Sequence, residues 1–281
     1  MKRQIVSTIT GYPTKDGAGV SLVRVLGNTS AKDYDPILML DSFDSTNPAD
    51  YIAGFPLHPH RGIETISYIY RGAMQHKDSL GNEDTISDGE VQWMTAGSGI
   101  LHEEKLPASP HLLGVQLWLN LPAKDKMVSP NYHAIKKEDI KEIPFEGGYL
   151  RLLAGNYKEN KGYQSQYLPV DYYDIHLKSG NKFYLETAPD KTAFIFTLSG
   201  HLKVDGRVIQ EKTAALLSAG DSLSLEASDK DAQVLFFSSE QLNESISWGG
   251  PIVMNTQEEL RTAFIELENG TFLKEQAHYE A

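Results

Sequence analysis

Cysteine is absent from this chain of 281 residues. That excludes disulfides, thiolate metal sites and a cysteine nucleophile, and it fits a reducing compartment. Long hydrophobic runs are also missing: nothing approaches the roughly 18 apolar residues of a membrane span. The N-terminal segment carries Lys2 and Arg3 but no apolar stretch of signal-peptide length. Clustered positive charge is lacking as well. Lys and Arg total 26 against 38 Asp and Glu, for a formal net charge of −12, and the densest basic spot, Lys136-Lys137, is followed at once by Glu138 and Asp139. A binder of the phosphate backbone needs a basic face, so no direct contact with nucleic acid is expected. These absences predict a soluble, cytoplasmic, globular protein that does not enter membranes.

What is present is ordinary core-forming composition, with 40% hydrophobic and 23% charged residues, in a length suited to one large or two medium domains. The strongest patterns are short β-type runs closed by glycine turns. Residues 65–70 run into Arg71-Gly72 and residues 193–198 into Ser199-Gly200, and 115–119 and 233–237 look alike. Many short strands at this spacing point to barrels or sandwiches, not to alternating strand–helix units. One helix is expected near the end. Thr256-Gln257-Glu258-Glu259 forms a capping box, Leu260, Phe264 and Leu267 follow at helical spacing, and Asn269-Gly270 stops it.

A weak internal repeat sets the domain plan. Gly72 leads to Asp88-Gly89-Glu90 and a new strand; Gly200 leads to Ala219-Gly220-Asp221 and another. Two similar β-barrels in tandem are therefore predicted, with the boundary in the polar stretch 156–162. Residues 1–155 would form the first barrel, and residues 156–281 the second with its C-terminal helix.

Chemistry concentrates in the first half. His58-Pro59-His60 precedes a strand, and in extended chain residues two apart share a face, so both rings can converge. His102-x-Glu104 repeats that geometry after the next turn-and-strand unit. Three imidazoles and a carboxylate suit a borderline divalent ion: iron, manganese, nickel, cobalt, copper or zinc. A lone H-x-H is more often a surface or hydrogen-bonded pair; the added H-x-E raises its weight. Counting along the repeat maps His58 and His60 onto Glu186 and Ala188, and His102 and Glu104 onto Gln233 and Leu235. The second barrel thus lacks the set, and the histidines are not an architectural requirement. Glu64 is expected as an outer hydrogen-bond partner of the site. His76 and His111 read as isolated, and His133, His176, His201 and His278 have no partner spacing. Trp93, Met94, Leu117 and Trp118 read as core. Gly97-Ser98-Gly99 lacks the lysine and helix of a phosphate loop and reads as a tight turn. No nucleophile elbow of a serine hydrolase occurs.

The segments around these residues resemble the pirin family, metal-binding bicupins that include bacterial flavonol (quercetin) dioxygenases. Residues 35–43, 55–65, 89–104, 114–121 and 250–256 carry the likeness, most densely over about 22–130. The resemblance implies an all-β fold of two tandem cupin, jelly-roll-like barrels with few short helices. It implies His58, His60, His102 and Glu104 as ligands of one divalent metal, with iron(II) the expected occupant, and leaves Glu64 outside the ligand set. It further implies a dioxygenase cleaving a flavonol such as quercetin with O₂, in which Glu104 acts as base. The alternative it implies is a redox-sensing regulator that contacts protein partners, the metal being structural or sensory.

Overall fold

The computed structural model describes residues 1–278. Strands dominate, as the alternating runs predict, and the Gln257–Glu268 helix is the one α-helix among the described residues. The contacts divide the chain into two compact units.

One unit comprises Pro13–Leu22, Ile37–Lys136 and the chain from Leu242 onward. Its seven-stranded sheet runs Asn131–Ile135, Glu90–Thr95, Ile63–Arg71, Leu112–Asn120, Ile37–Ser45, Val20–Leu26, Tyr12–Asp16. A four-stranded sheet runs Phe55–His60, Ile100–Lys105, Met74–Asp78, Glu83–Ile86. Between them lies a core that includes Val20, Leu22, Phe43, Ile69, Met74, Ile86 and Leu112. All nine residues of Leu112–Asn120 are buried, so this central strand is covered on both faces.

The other unit, Met1–Tyr12, Val23–Pro36 and Lys137–Gln241, repeats the plan. Its seven-stranded sheet runs Ile5–Thr10, Thr213–Leu217, Thr192–Ser199, Ala232–Ser239, Val170–Leu177, Gly148–Ala154, Lys141–Phe145. Its four-stranded sheet runs Lys182–Glu186, Ser222–Ala227, Leu202–Val204, Arg207–Ile209. Two barrels of matching strand order are what the internal repeat predicts. The division differs from a cut near residue 156. Residues 137–155 pack with the second barrel, while the segment from Leu242, including the helix, packs with the first.

The helix ends form as the capping box requires. Glu259 N donates to Thr256 Oγ1 at 3.1 Å, and Thr256 N donates back to Glu259 Oε2 at 2.9 Å. Leu260 and Ala263 are its buried residues, packed with Ile252, Met254 and Phe272, whereas Phe264 of the predicted stripe is largely exposed. Thr256→Ala removes the side-chain acceptor and is expected to lower stability by about 1 kcal/mol. An unchanged urea midpoint would show that the cap contributes nothing.

Candidate metal centre

Two adjacent strands of the four-stranded sheet carry the histidines. Phe55–His60 pairs antiparallel with Ile100–Lys105, so that His102 lies opposite His58 and Ile100 opposite His60. Alternation then turns His58, His60, His102 and Glu104 to one face. Immediately after His60 the chain reverses at Gly62, whose φ is +77°; a Cβ there would sit 2.0 Å from the Val253 carbonyl oxygen. Only glycine meets both demands, and its turn fixes where the His60 strand ends. The Gly97-Ser98-Gly99 segment is likewise a turn, with φ of +48° and +136° at its glycines.

The ligand-type atoms of His58, His60 and His102 all lie within 4.8 Å of one another. His60 and His102 are buried and His58 is half-buried. The ring hydrogens can be assigned from the partners. His58 Nδ1 is 2.8 Å from the Pro56 carbonyl and His60 Nδ1 is 3.0 Å from the Pro251 carbonyl. A carbonyl only accepts, so each Nδ1 carries the hydrogen and each neutral ring keeps a bare Nε2. Those two Nε2 atoms face each other at 3.1 Å. Two lone pairs so close repel unless a cation lies among them. His102 Nε2 is buried with no hydrogen-bond partner. Burial, then the neighbouring His58, pushes His60 down to about 3, against the opposing Pro251 carbonyl. Burial, followed by the other histidines, also holds His102 well below its ordinary value. Neutral imidazoles with converging lone pairs are the form a divalent metal takes.

Glu104, two residues beyond His102 on the same strand, is turned to the same face. Two glutamines hold it. Gln92 Nε2 donates to its Oε1 at 2.8 Å, and Gln116 Nε2 reaches Oε1 at 3.2 Å and Oε2 at 3.0 Å. Gln116 is itself set by Ser67 Oγ and by the Trp118 indole, which donates to its Oε1.

Glu64 is not an outer partner of this cluster. It stands three residues from Ser67 on one regular strand, and three residues reverse the face. Its partner Thr95 is likewise three residues from Gln92, so both side chains leave the site's face of the sheet. The mapping onto the second barrel also changes. There the paired strands Lys182–Glu186 and Ser222–Ala227 turn Phe183, Leu185, Leu223 and Leu225 into the core. Gln233 and Leu235 belong to another strand, Ala232–Ser239, because the hairpins of the two halves differ in length. The described residues of the second barrel still offer no ligand set at the equivalent place.

Several contributors escaped the sequence reading. His76 is buried and pairs with Asp78 at 2.9 Å, and its Nδ1 lies 3.4 Å from His102 Nδ1. The signal was a third i,i+2 pair, His76-x-Asp78, on an adjacent strand. Trp118, read as core, lies edge-on to His60 at 5.0 Å between ring centroids, with Trp248 5.8 Å beyond it. His111, by contrast, bonds Asp44 at the surface, and among the described residues no second histidine cluster of this kind forms.

An all-β chain of two matched barrels, one carrying converging histidines, belongs to the bicupin class. The pirin family model matches residues 19–119, and the model of the pirin C-terminal cupin domain matches residues 172–273. A Pseudomonas aeruginosa protein provisionally named a quercetin 2,3-dioxygenase is 39% identical over 279 residues, covering 95% of this chain and 97% of its own. Human pirin is 34% identical over 273 residues, covering 95% and 93%. A crystal structure of quercetin 2,3-dioxygenase from Acinetobacter baumannii superposes with a TM-score of 0.89 at 34% identity, over 97% of this chain and 99% of that one. This chain belongs to the pirin family.

Proposed function

We propose that the chain binds one divalent metal through the Nε2 atoms of His58, His60 and His102, with Glu104 as fourth ligand, and uses it to cleave a flavonol such as quercetin with O₂. The observation that carries the metal is the convergence of three histidines, with His58 Nε2 and His60 Nε2 only 3.1 Å apart. The flavonol and O₂ follow from the names of the relatives. Iron(II) is the ion proposed; nickel, cobalt, manganese, copper and zinc suit the same nitrogen and oxygen donors. When bound, the metal supplies a Lewis-acid contact for the substrate oxygen and the redox partner that O₂ chemistry needs.

The protein's own groups then have separable tasks. The Pro56 and Pro251 carbonyls hold two rings in the ligating tautomer. Glu104, gripped by Gln92 and Gln116, takes the proton of the flavonol 3-hydroxyl on a carboxylate oxygen. Its two amide donors keep the carboxylate aimed. Buried Trp118 and half-buried Trp248 make the His60 side of the cluster apolar and aromatic, which suits an aromatic substrate.

Purified protein should hold close to one equivalent of metal and consume quercetin only when O₂ is present, followed by the fall of flavonol absorbance. Removal of the metal by a chelator should abolish the decay, and its return should restore it. Stoichiometric metal with no O₂-dependent loss of flavonol would overturn the dioxygenase and favour the sensory, partner-binding alternative.

A further inference from the structure

We propose that Asp78 and His76 form a positioning pair that sets the ring tautomer of His102, so that a bare Nε2 and not an N–H faces His58 and His60. The purpose of the pair rests on the metal reading above; the tautomer itself does not.

The chain of contacts begins at a buried carboxylate. Asp78 Oδ1 accepts from Leu80 N at 2.9 Å and Asn82 N at 3.1 Å. Its Oδ2 accepts from Asn82 Nδ2 at 2.9 Å and from His76 Nε2 at 2.9 Å. Four donors converge on its two oxygens, so the carboxylate acts only as an acceptor. His76 must then carry its hydrogen on Nε2, which in the neutral ring leaves Nδ1 bare. Tyr132 stacks on that ring at 4.3 Å and 15° and fixes its plane.

His76 Nδ1 meets His102 Nδ1 at 3.4 Å, and one hydrogen fits between two ring nitrogens. With His76 bare, that hydrogen belongs to His102. His102 Nε2 is left without one, and it is the buried atom that has no partner. The register makes the chain possible, because His102 lies opposite Asp78, and Glu104 opposite His76.

The pair also answers why one histidine needs side chains where two use carbonyls. His58 and His60 lie on Phe55–His60, an edge strand of its sheet, and find their acceptors in Pro56 and Pro251. His102 lies on the inner strand Ile100–Lys105, flanked by Phe55–His60 and Met74–Asp78, where neighbouring carbonyls are taken up in the ladder. A side-chain acceptor, bare on one nitrogen and anchored on the other, takes their place. Partners of this kind orient metal-ligating histidines in general.

Asp78→Asn keeps the shape and reverses the polarity. The amide oxygen stays with the two backbone donors of Leu80 and Asn82, which places the amide NH₂ against His76 Nε2. His76 must then accept there and donate from Nδ1, and the His102 hydrogen moves to Nε2. Nitrogen-15 spectra of metal-free, histidine-labelled protein read both tautomers directly. Wild type should show His102 protonated on Nδ1 and His76 on Nε2; Asp78→Asn should show both reversed. Cobalt(II) affinity, measured by its absorption against a competing chelator, should fall about 10–100-fold in the variant. A wild-type His102 that carries its hydrogen on Nε2 overturns the proposal. So does a folded variant with unchanged tautomers and cobalt affinity within about twofold of wild type. If the variant does not fold, the wild-type spectrum decides. If wild type binds no cobalt, iron or nickel, the metal reading fails, while the metal-free spectra still test the pair.

Discussion

His60→Ala is expected to strip the protein of its metal, with a larger loss of affinity than the ~10–100-fold that an outer hydrogen-bond partner is worth. His60 meets a close neighbour at both of its ring nitrogens. It is buried, its Nδ1 is committed to the Pro251 carbonyl, and its Nε2 is 3.1 Å from that of His58. Alanine removes one of three converging nitrogens and leaves a gap beside Trp118. The metal-free protein should respond quite differently. Loss of the ring exposes a cavity and leaves the Pro251 carbonyl without its donor, but it also ends the lone-pair repulsion with His58. Those effects oppose, so unfolding of the metal-free variant should stay near that of wild type. The difference lies in what metal adds. An ion that binds the folded state at a thousand-fold excess over Kd stabilises it by about 4 kcal/mol. Wild type should therefore melt higher on adding metal, and His60→Ala should not. A variant that retains one equivalent of metal through gel filtration, or that keeps the thermal increment, would remove His60 from the ligand set.

How much of this was legible in the sequence follows from the range of the physics involved. The barrels were, because alternation and glycine turns are local, as was the helix from Thr256 to Asn269-Gly270. The histidine pairs were too, since i,i+2 spacing in extended chain needs no tertiary knowledge. Face was the first point lost. Glu64 and Ser67 differ in side only by strand parity, which becomes decisive once the register between Ile63–Arg71 and Glu90–Thr95 is known. The second was the carboxylate's setting. Gln92 and Gln116 lie on strands flanking Ile63–Arg71, and no spacing rule links them to Glu104. The third was domain assignment: the chain from Leu242 returns to the first barrel, where it delivers the Pro251 carbonyl to His60. A returning segment of this kind leaves no local signal.

The second barrel sharpens what the first is for. Where the first turns His58 and His102 inward, the second turns Phe183, Leu185, Leu223 and Leu225 inward, all buried within one apolar cluster. The same strand pairing is thus stable with an apolar lining, so the buried imidazoles and Glu104 are not needed to hold a barrel together. Burying polar groups costs free energy unless they are paired. In the first barrel that cost falls on His60, His102 and Glu104, all of which are buried.

Glu64→Gln is expected to stabilise the protein at neutral and mildly alkaline pH and to do little near pH 4.5. Glu64 is buried on the face of the sheet away from the histidines, and Thr95 Oγ1 donates to its Oε1 at 2.6 Å. Burial raises its carboxyl from 4.5 to about 7, against the opposing effects of Thr95 and Trp93. The folded state therefore holds a proton that the unfolded state has released between those two values. Stability from this group is full below about pH 4.5, declines as pH rises to about 7, and is flat beyond. The shift, 7 − 4.5 = 2.5 units, corresponds to about 3 kcal/mol at ~1.4 kcal/mol per unit. Glutamine keeps the shape, can still pair with Thr95 and Trp93 by choosing which end faces which, and never ionises. Urea unfolding of metal-free wild type and variant from pH 4 to 8.5 should give curves that separate through this window, the variant rising above wild type by up to about 3 kcal/mol. The histidines titrate over part of the same range, but both proteins carry them, so the difference between the curves isolates residue 64. Parallel curves would mean that Glu64 is ionised in the folded protein throughout, with its charge met by groups other than Thr95 and Trp93.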